Sequence, residues 1–256
     1  MRSPIPWMGS KRRLAGMILE RLPEHRCFVE VFAGSAALLF ARDEAADVEV
    51  LNDIDGDLVN FFRVLKHHLE EFCRQFKYAI VSRQIWEWTK ATPPETLTDI
   101  QRAARFFYLQ KLGFGGKPTG RTFGYSPTAP PKLNLVRLEE DCSAVHLRLS
   151  RVLIEQLSWE SCLDRYDRPT TLFFLDPPYF ETAGYGGARW TREQYEAIAV
   201  ALRAIAGKAL LTVNDHPVMR QVFAAFPLER VALKYTVARA RGDRPSSGEL
   251  LIRTWK

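Results

Sequence analysis

Leu172-Phe173-Phe174-Leu175-Asp176-Pro177-Pro178-Tyr179 runs four apolar residues straight into an acid, two prolines and an aromatic ring. With Thr171 in front, the apolar run reads as a β-strand. Two successive prolines donate no backbone hydrogen bonds, so the chain must leave the sheet there with its carbonyls free. In an open α/β sheet this puts Asp176 at the carboxyl end of a strand, where such folds bind ligands. An acid after a buried strand also begins ordinary proline turns, so the segment needs support from the rest of the chain.

Working outward, Val29-Glu30-Val31-Phe32 reads as a short strand, Ala33-Gly34-Ser35 as a turn and Ala36–Ala41 as a helix. Val48–Leu51 is a second strand running into Asn52-Asp53-Ile54-Asp55, followed by Leu58, Phe61, Phe62 and Leu65 at helical spacing. Residues 66 to 112 are helical in pattern, with Ala103, Phe106, Phe107 and Gln110 on one face. Gly113–Pro131 is rich in Gly, Pro, Ser and Thr and predicts an extended or hairpin-like loop. Alternation then resumes, with a helix over Ser143–Arg151 and strands over Leu153–Leu157 and Thr171–Leu175. A further helix over Arg192–Ala206 and strands over Ala209–Val213 and Glu249–Ile252 follow. The pattern predicts an α/β fold, Rossmann-like, with a mostly parallel sheet flanked by helices and a mainly helical insertion. Residues 1–59 and 141–256 would form the main domain and 60–140 the insertion, the natural candidate for substrate selection.

Composition narrows the function. Of 256 residues, 46% are hydrophobic and 26% charged, and the net charge of +6 permits a polyanionic partner without requiring one. Cys27, Cys73, Cys142 and Cys162 lie too far apart for a zinc or Cys-x-x-Cys site. No apolar run of signal or membrane-spanning length is present, so the expected location is cytoplasmic and no membrane role is expected.

The amino nitrogen of adenine is a poor nucleophile because its lone pair is delocalised into the ring. Acceptors for its two hydrogens draw it toward a tetrahedral, more reactive form. The Asp176 carboxylate and the Pro177 carbonyl are two such acceptors, and Tyr179 offers a ring on which an extruded base can stack. Gly34 sits where backbone could approach a cofactor closely, and Asp53 stands about twenty residues on, where a carboxylate commonly binds ribose. A plain βα turn and a helix cap would explain these two as well. Gly34 lacks the following glycines of a nicotinamide-binding turn, so an oxidoreductase is disfavoured.

Taken together, the motifs resemble the DNA adenine methylases. Pro6-Trp7-Met8-Gly9-Ser10-Lys11 is similar to that family's Trp-x-Gly-Gly-Lys segment, and Phe28–Ser35 to its Phe-Val-Glu-Pro-Phe-x-Gly motif. Asn52–Asp57 resembles its Asp-Ile-Asn-x-Asp-Leu motif, and Asp176–Tyr179 matches its tetrad at every position. Arg102–Phe114, Asn214-Asp215 and Glu249–Ile252 resemble further segments. The resemblance implies transfer of a methyl group from S-adenosylmethionine to N6 of a flipped adenine in double-stranded DNA. Asp176, Pro177, Pro178 and Tyr179 would be catalytic, and residues 60–140 would recognise the target. It implies cofactor contacts from Trp7, Lys11, Glu30, Phe32, Gly34, Asp53 and Asp176, with Ser158 and Trp159 beside the cofactor adenine.

DNA contacts are expected from Lys117, Arg121, Thr122 and Lys132 in the insertion and from Arg239, Arg241 and Arg244 before the closing strand, with Arg121 or Thr122 reading a base edge. Gly113–Ser126 lacks the Asn-Gly-Leu and Asn-Val-Pro sequences of members specific for GATC, which argues against that target, and resembles loops of phage-borne and prophage members. A monomer is expected, and a restriction endonuclease is a conceivable partner. The same chemistry on RNA or a protein amide, and a non-catalytic DNA-binding protein, are the alternatives.

Overall fold

The computed structural model describes residues 1–182, 189–232 and 248–256. Among them, seven strands form one sheet: β1 (Cys27–Glu30), β2 (Val48–Asn52), β3 (Val152–Glu155), β4 (Thr171–Leu175), β5 (Lys208–Asn214), β6 (Leu228–Ala232) and β7 (Gly248–Arg253). Their order is β3-β2-β1-β4-β5-β7-β6. β1 to β5 are parallel, and β7 runs antiparallel to both β5 and β6. The chain builds outward from β1 to β3 and then returns to lay β4 on the other side of β1. That reversal opens a crevice at the carboxyl ends of β1 and β4.

Side chains alternate across the sheet as the two-residue period of a strand requires. In β4, Leu172 and Phe174 pack into one core, and Phe173 and Leu175 into the opposite one. Both faces of this strand are covered, which is why its sequence is a continuous apolar run.

The helices are α1 (Ala15–Leu19), α2 (Ala37–Ala41), α3 (Gly56–His67), α4 (Leu69–Arg74), α5 (Arg83–Ala91), α6 (Asp99–Leu112), α7 (Leu138–Leu149), α8 (Trp159–Tyr166), α9 (Arg192–Ala204) and α10 (Pro217–Val222). Asp55 caps α3 through Asp57 N and Leu58 N, and Thr98 with Gln101 forms a capping box on α6. Phe61 of α3 stacks on Phe107 of α6 at 5.7 Å, and Phe72 of α4 meets Phe107 edge-on at 5.5 Å. Full burial of each ring is worth about 1.5–3 kcal/mol, so α4 and α6 are fastened onto α3 by aromatic packing. Residue 60 therefore falls inside a helix that belongs to both halves of the chain.

α7 begins at Leu138 instead of Ser143, because Glu139, Glu140 and Asp141 form an acidic first turn that favours a helix N-terminus. α8, α10 and the edge strand β6 were not anticipated; in β6 the charged pair Glu229-Arg230 interrupts the apolar pattern. Among the described residues no helix is long and apolar enough to cross a membrane.

Candidate active site

β4 delivers Asp176 to the crevice. Its carboxylate meets Lys11 Nζ at 2.6 Å through Oδ1 and 2.7 Å through Oδ2. Lys11 is only 3% exposed and also donates to the Gly9 carbonyl at 2.9 Å. A lysine so buried requires such partners. Thr212 of β5, fully buried, donates its hydroxyl to Asp176 Oδ1 at 2.7 Å.

The segment after Asp176 is clamped from two sides. The Tyr195 hydroxyl of α9 donates to the Pro178 carbonyl, and Asn214 at the end of β5 exchanges hydrogen bonds with Phe180 N and Phe180 O at 3.0 and 3.2 Å. Lys11 Nζ lies 4.7 Å over the Tyr179 ring, so one face of that ring is taken by a cation. The Tyr179 hydroxyl is buried toward Glu249 of β7. Burial pushes the Glu249 carboxyl up, opposed by the Lys11 charge and the Tyr179 hydroxyl.

The β1 end supplies the other wall. Gly34 has φ +48°, and a Cβ there would stand 2.8 Å from Trp7 Nε1. Only glycine lets the turn and the indole meet. Ala36 follows at φ 53°, an unusual conformation for a residue with a Cβ and a mark of how sharply β1 turns into α2. Ser10, where the resembling family has a second glycine, bonds Ser35 at 2.8 Å and ties the N-terminal segment to this turn. Glu30 accepts from Leu39 N at 2.5 Å, and burial pushes its carboxyl up to about 8. Asp53 accepts from Gly34 N at 2.9 Å and Asp55 N at 3.0 Å. Burial raises it to about 6 against the pull of those amides.

Between the walls lies a cleft of about 1880 Å³, lined by Trp7, Lys11, Glu30, Phe32, Gly34 and the whole Asp176–Tyr179 segment. Small-ligand pockets usually measure about 300–1,000 Å³, so this one has room for a nucleoside cofactor and a second base. Asp53 is outside the lining, turned onto the backbone of the Gly34 turn. Ser158 caps α8 by accepting from Ser161 N at 3.2 Å, and half-buried Trp159 packs on the α9 side of the sheet. Neither lines the cleft.

Of the basic candidates, Lys117 and Lys132 are exposed on the cleft rim. Arg121 is half-buried: its Nε donates to Gln110 Oε1 at 3.1 Å and the Lys117 carbonyl at 3.2 Å, and its guanidinium covers Phe106 at 5.3 Å. Exposed Thr122 uses its carbonyl to accept from Phe114 N at 2.8 Å. Arg239, Arg241 and Arg244 lie outside the described residues.

Gln110, fully buried on α6, donates from Nε2 to the Pro6 and Gly116 carbonyls, each at 2.8 Å. It joins the N-terminal segment to the 113–124 loop. Its signal was available: an amide among Ala103, Phe106 and Phe107 on a buried helix face must find polar partners. Thr212 and Tyr195 carried no such signal, since a threonine in a strand and a tyrosine in a helix both read as packing.

The type II methyltransferase M.CviBI of Paramecium bursaria Chlorella virus NC1A is 21% identical over the full length of both chains. The DNA adenine methylase of Escherichia coli K12 is 21% identical over 98% of this chain and 94% of its own. Among solved structures, the rRNA methyltransferase aviRa from Streptomyces viridochromogenes is similar at a TM-score of 0.41 and 15% identity, over 95% of this chain and 84% of that one. Residues 7–237, which contain Lys11, the Gly34 turn and Asp176–Tyr179, match the D12 class N6 adenine-specific DNA methyltransferases, enzymes that use S-adenosylmethionine. The chain belongs to that family.

Proposed function

We propose that the protein methylates N6 of an adenine turned out of double-stranded DNA, with residues 60–140 selecting the sequence around it. The observation that carries this reading is the Asp176 carboxylate, held by Lys11 and Thr212 at the mouth of the cleft that also contains the Gly34 turn. S-adenosylmethionine, when bound, supplies a methyl group on a cationic sulfur. The cleft suits such a ligand, because Glu30, Asp176 and Glu249 line it with carboxyl groups and Trp7 and Phe32 offer apolar surface. Trp7, Lys11, Glu30, Phe32, Gly34 and Asp176 are the proposed cofactor residues, with Asp53 acting through the Gly34 turn it holds; Ser158 and Trp159, which lie outside the cleft, are not among them.

Asp176 and the Pro177 carbonyl accept the two amine hydrogens and keep the nitrogen lone pair aimed at the methyl carbon. Asp176 then guides away the proton that the nitrogen must lose once it has bonded to carbon. Tyr179 presents the ring face not covered by Lys11 to the extruded base. Positioning and electrostatics supply the acceleration. Lys117 and Lys132 grip phosphates at the rim, Arg121 braces the loop from which Thr122 is exposed, and Arg239, Arg241 and Arg244, outside the described residues, are further proposed contacts to phosphate. The similarity to a viral type II methyltransferase supports a restriction endonuclease for the same site as partner, with the methyltransferase itself monomeric.

The test supplies labelled S-adenosylmethionine with unmethylated duplex DNA, RNA and protein acceptors side by side. The expected result is label in N6-methyladenine of duplex DNA, reduced about 10²–10³-fold or more by Asp176→Ala. Label in RNA or protein with none in DNA would overturn the proposal.

A further inference from the structure

Asp176 has two carboxylate oxygens and therefore about four positions at which it can accept a hydrogen bond. Oδ1 receives the Thr212 hydroxyl at 2.7 Å and lies 2.6 Å from the Lys11 ammonium, so the approaches to it are occupied. Oδ2 receives Lys11 at 2.7 Å. One position on Oδ2 is left for a substrate N–H. We infer that Thr212 is a positioning residue for methyl transfer: by occupying Oδ1 it fixes the rotation of the carboxylate and reserves Oδ2 for the target amine. This rests on the reading of Asp176 as the acceptor of the amine hydrogens.

The local structure favours this role. Thr212 pairs with Leu251 of β7 and directly follows Leu211, the last β5 residue paired with β4, so its backbone is held within the sheet. A β-branched side chain in a strand has little χ1 freedom. The single hydroxyl proton has two acceptors in reach, Asp176 Oδ1 at 2.7 Å and the Leu175 carbonyl at 3.4 Å, and the shorter, charge-assisted bond takes it. Lys11 alone could not fix the carboxylate in the same way. Its ammonium straddles both oxygens from a flexible stem, whereas the hydroxyl distinguishes one oxygen from the other.

The experiment compares wild type, Thr212→Val and Thr212→Ser in single-turnover methylation of unmethylated genomic DNA with enzyme in excess. The affinities for S-adenosylmethionine and DNA and the thermal midpoint are measured on the same preparations. Valine keeps the branched shape and the strand preference while removing only the donor. The expected result for Thr212→Val is a rate about tenfold lower at saturation, with both affinities within about twofold of wild type and a thermal midpoint lowered by only about 4–8 °C, so that the enzyme stays folded in the assay. Thr212→Ser should recover most of the rate, because the hydroxyl is kept. A Thr212→Val enzyme as fast as wild type would overturn the inference, and so would a Thr212→Ser enzyme as slow as Thr212→Val, since that would assign the effect to packing. Wild-type enzyme that labels no DNA would count against the proposed function itself, which separates the two failures.

Discussion

The catalytic corner and the segment from Gly113 to Arg137 border the same cleft, yet they are built on opposite principles. At the corner, side chains from distant parts of the chain converge on a short stretch. Lys11 and Thr212 hold Asp176, Tyr195 holds Pro178 and Asn214 holds Phe180. Lys11 and Asp176 are 165 positions apart. The segment is instead held by its own backbone, through the Gly113–Phe123 bridge and the Phe114–Thr122 and Gly124–Leu112 bonds, and by the Gln110 amide, Met8 N and the side chains of Trp86 and Lys90. The difference teaches where change is tolerated. The group proposed to meet one atom of adenine is fixed from many sides, whereas the segment proposed to meet DNA is held largely by its own backbone and by α5 and α6, and changes in it are expected to leave the chemistry intact.

Removing Lys11 is the largest blow to the corner side of this contrast. Lys11→Met leaves the Asp176 carboxylate without its cation in a site where the two side chains are 2% and 17% exposed. The expected cost is about 3 kcal/mol of stability and about a hundredfold or more in single-turnover rate, read by denaturant unfolding and labelled methyl transfer. A Lys11→Met enzyme that works normally would show that the corner is not the rigid unit described.

Next comes the joint between the two regions. Gln110→Ala strands the Pro6 carbonyl, leaves the Gly116 carbonyl with Met8 N alone and costs Arg121 one of its two acceptors, at about 2 kcal/mol. DNA affinity should fall, while the rate at saturating DNA stays within about threefold of wild type. If that saturated rate instead collapses as in Lys11→Met, the two regions behave as one, and the contrast is broken.

The smallest effect belongs to the rim. Replacing Lys117 and Lys132 together by alanine should leave the thermal midpoint and the saturated rate unchanged, as expected of exposed side chains. The dependence of log DNA affinity on log salt should become shallower by about two, roughly one for each phosphate that is no longer neutralised. An unchanged slope would remove both lysines from the interface.

The same contrast explains what the sequence disclosed. β4 was legible because both of its faces are covered, leaving only apolar residues and an abrupt stop at Asp176. Gly34 and Asp53 were legible as a turn and a strand-end acid, but not the bond between them, which joins positions 19 apart. Lys11 could be tied to the active site only through its resemblance to a known motif, since a lysine by itself reads as solvated. Thr212 was hidden, because its chemistry depends on a partner 36 positions away and its residue type is ordinary in strands. β6 was obscured by Glu229 and Arg230, acceptable at a sheet edge, where Glu229 pairs with Arg21.

The place of β7 between β5 and β6 has a consequence for how the molecule comes into being. Strands far apart in the chain must pair before the crevice closes, a topology that slows folding. During synthesis β5 emerges well before β7, and until β7 arrives it presents one side of bare amides and carbonyls, an invitation to pair with another nascent chain. Covering that edge and setting Glu249 beside Tyr179 both depend on the same strand, β7, so the wall of the cleft and the sealed edge of the sheet are completed together.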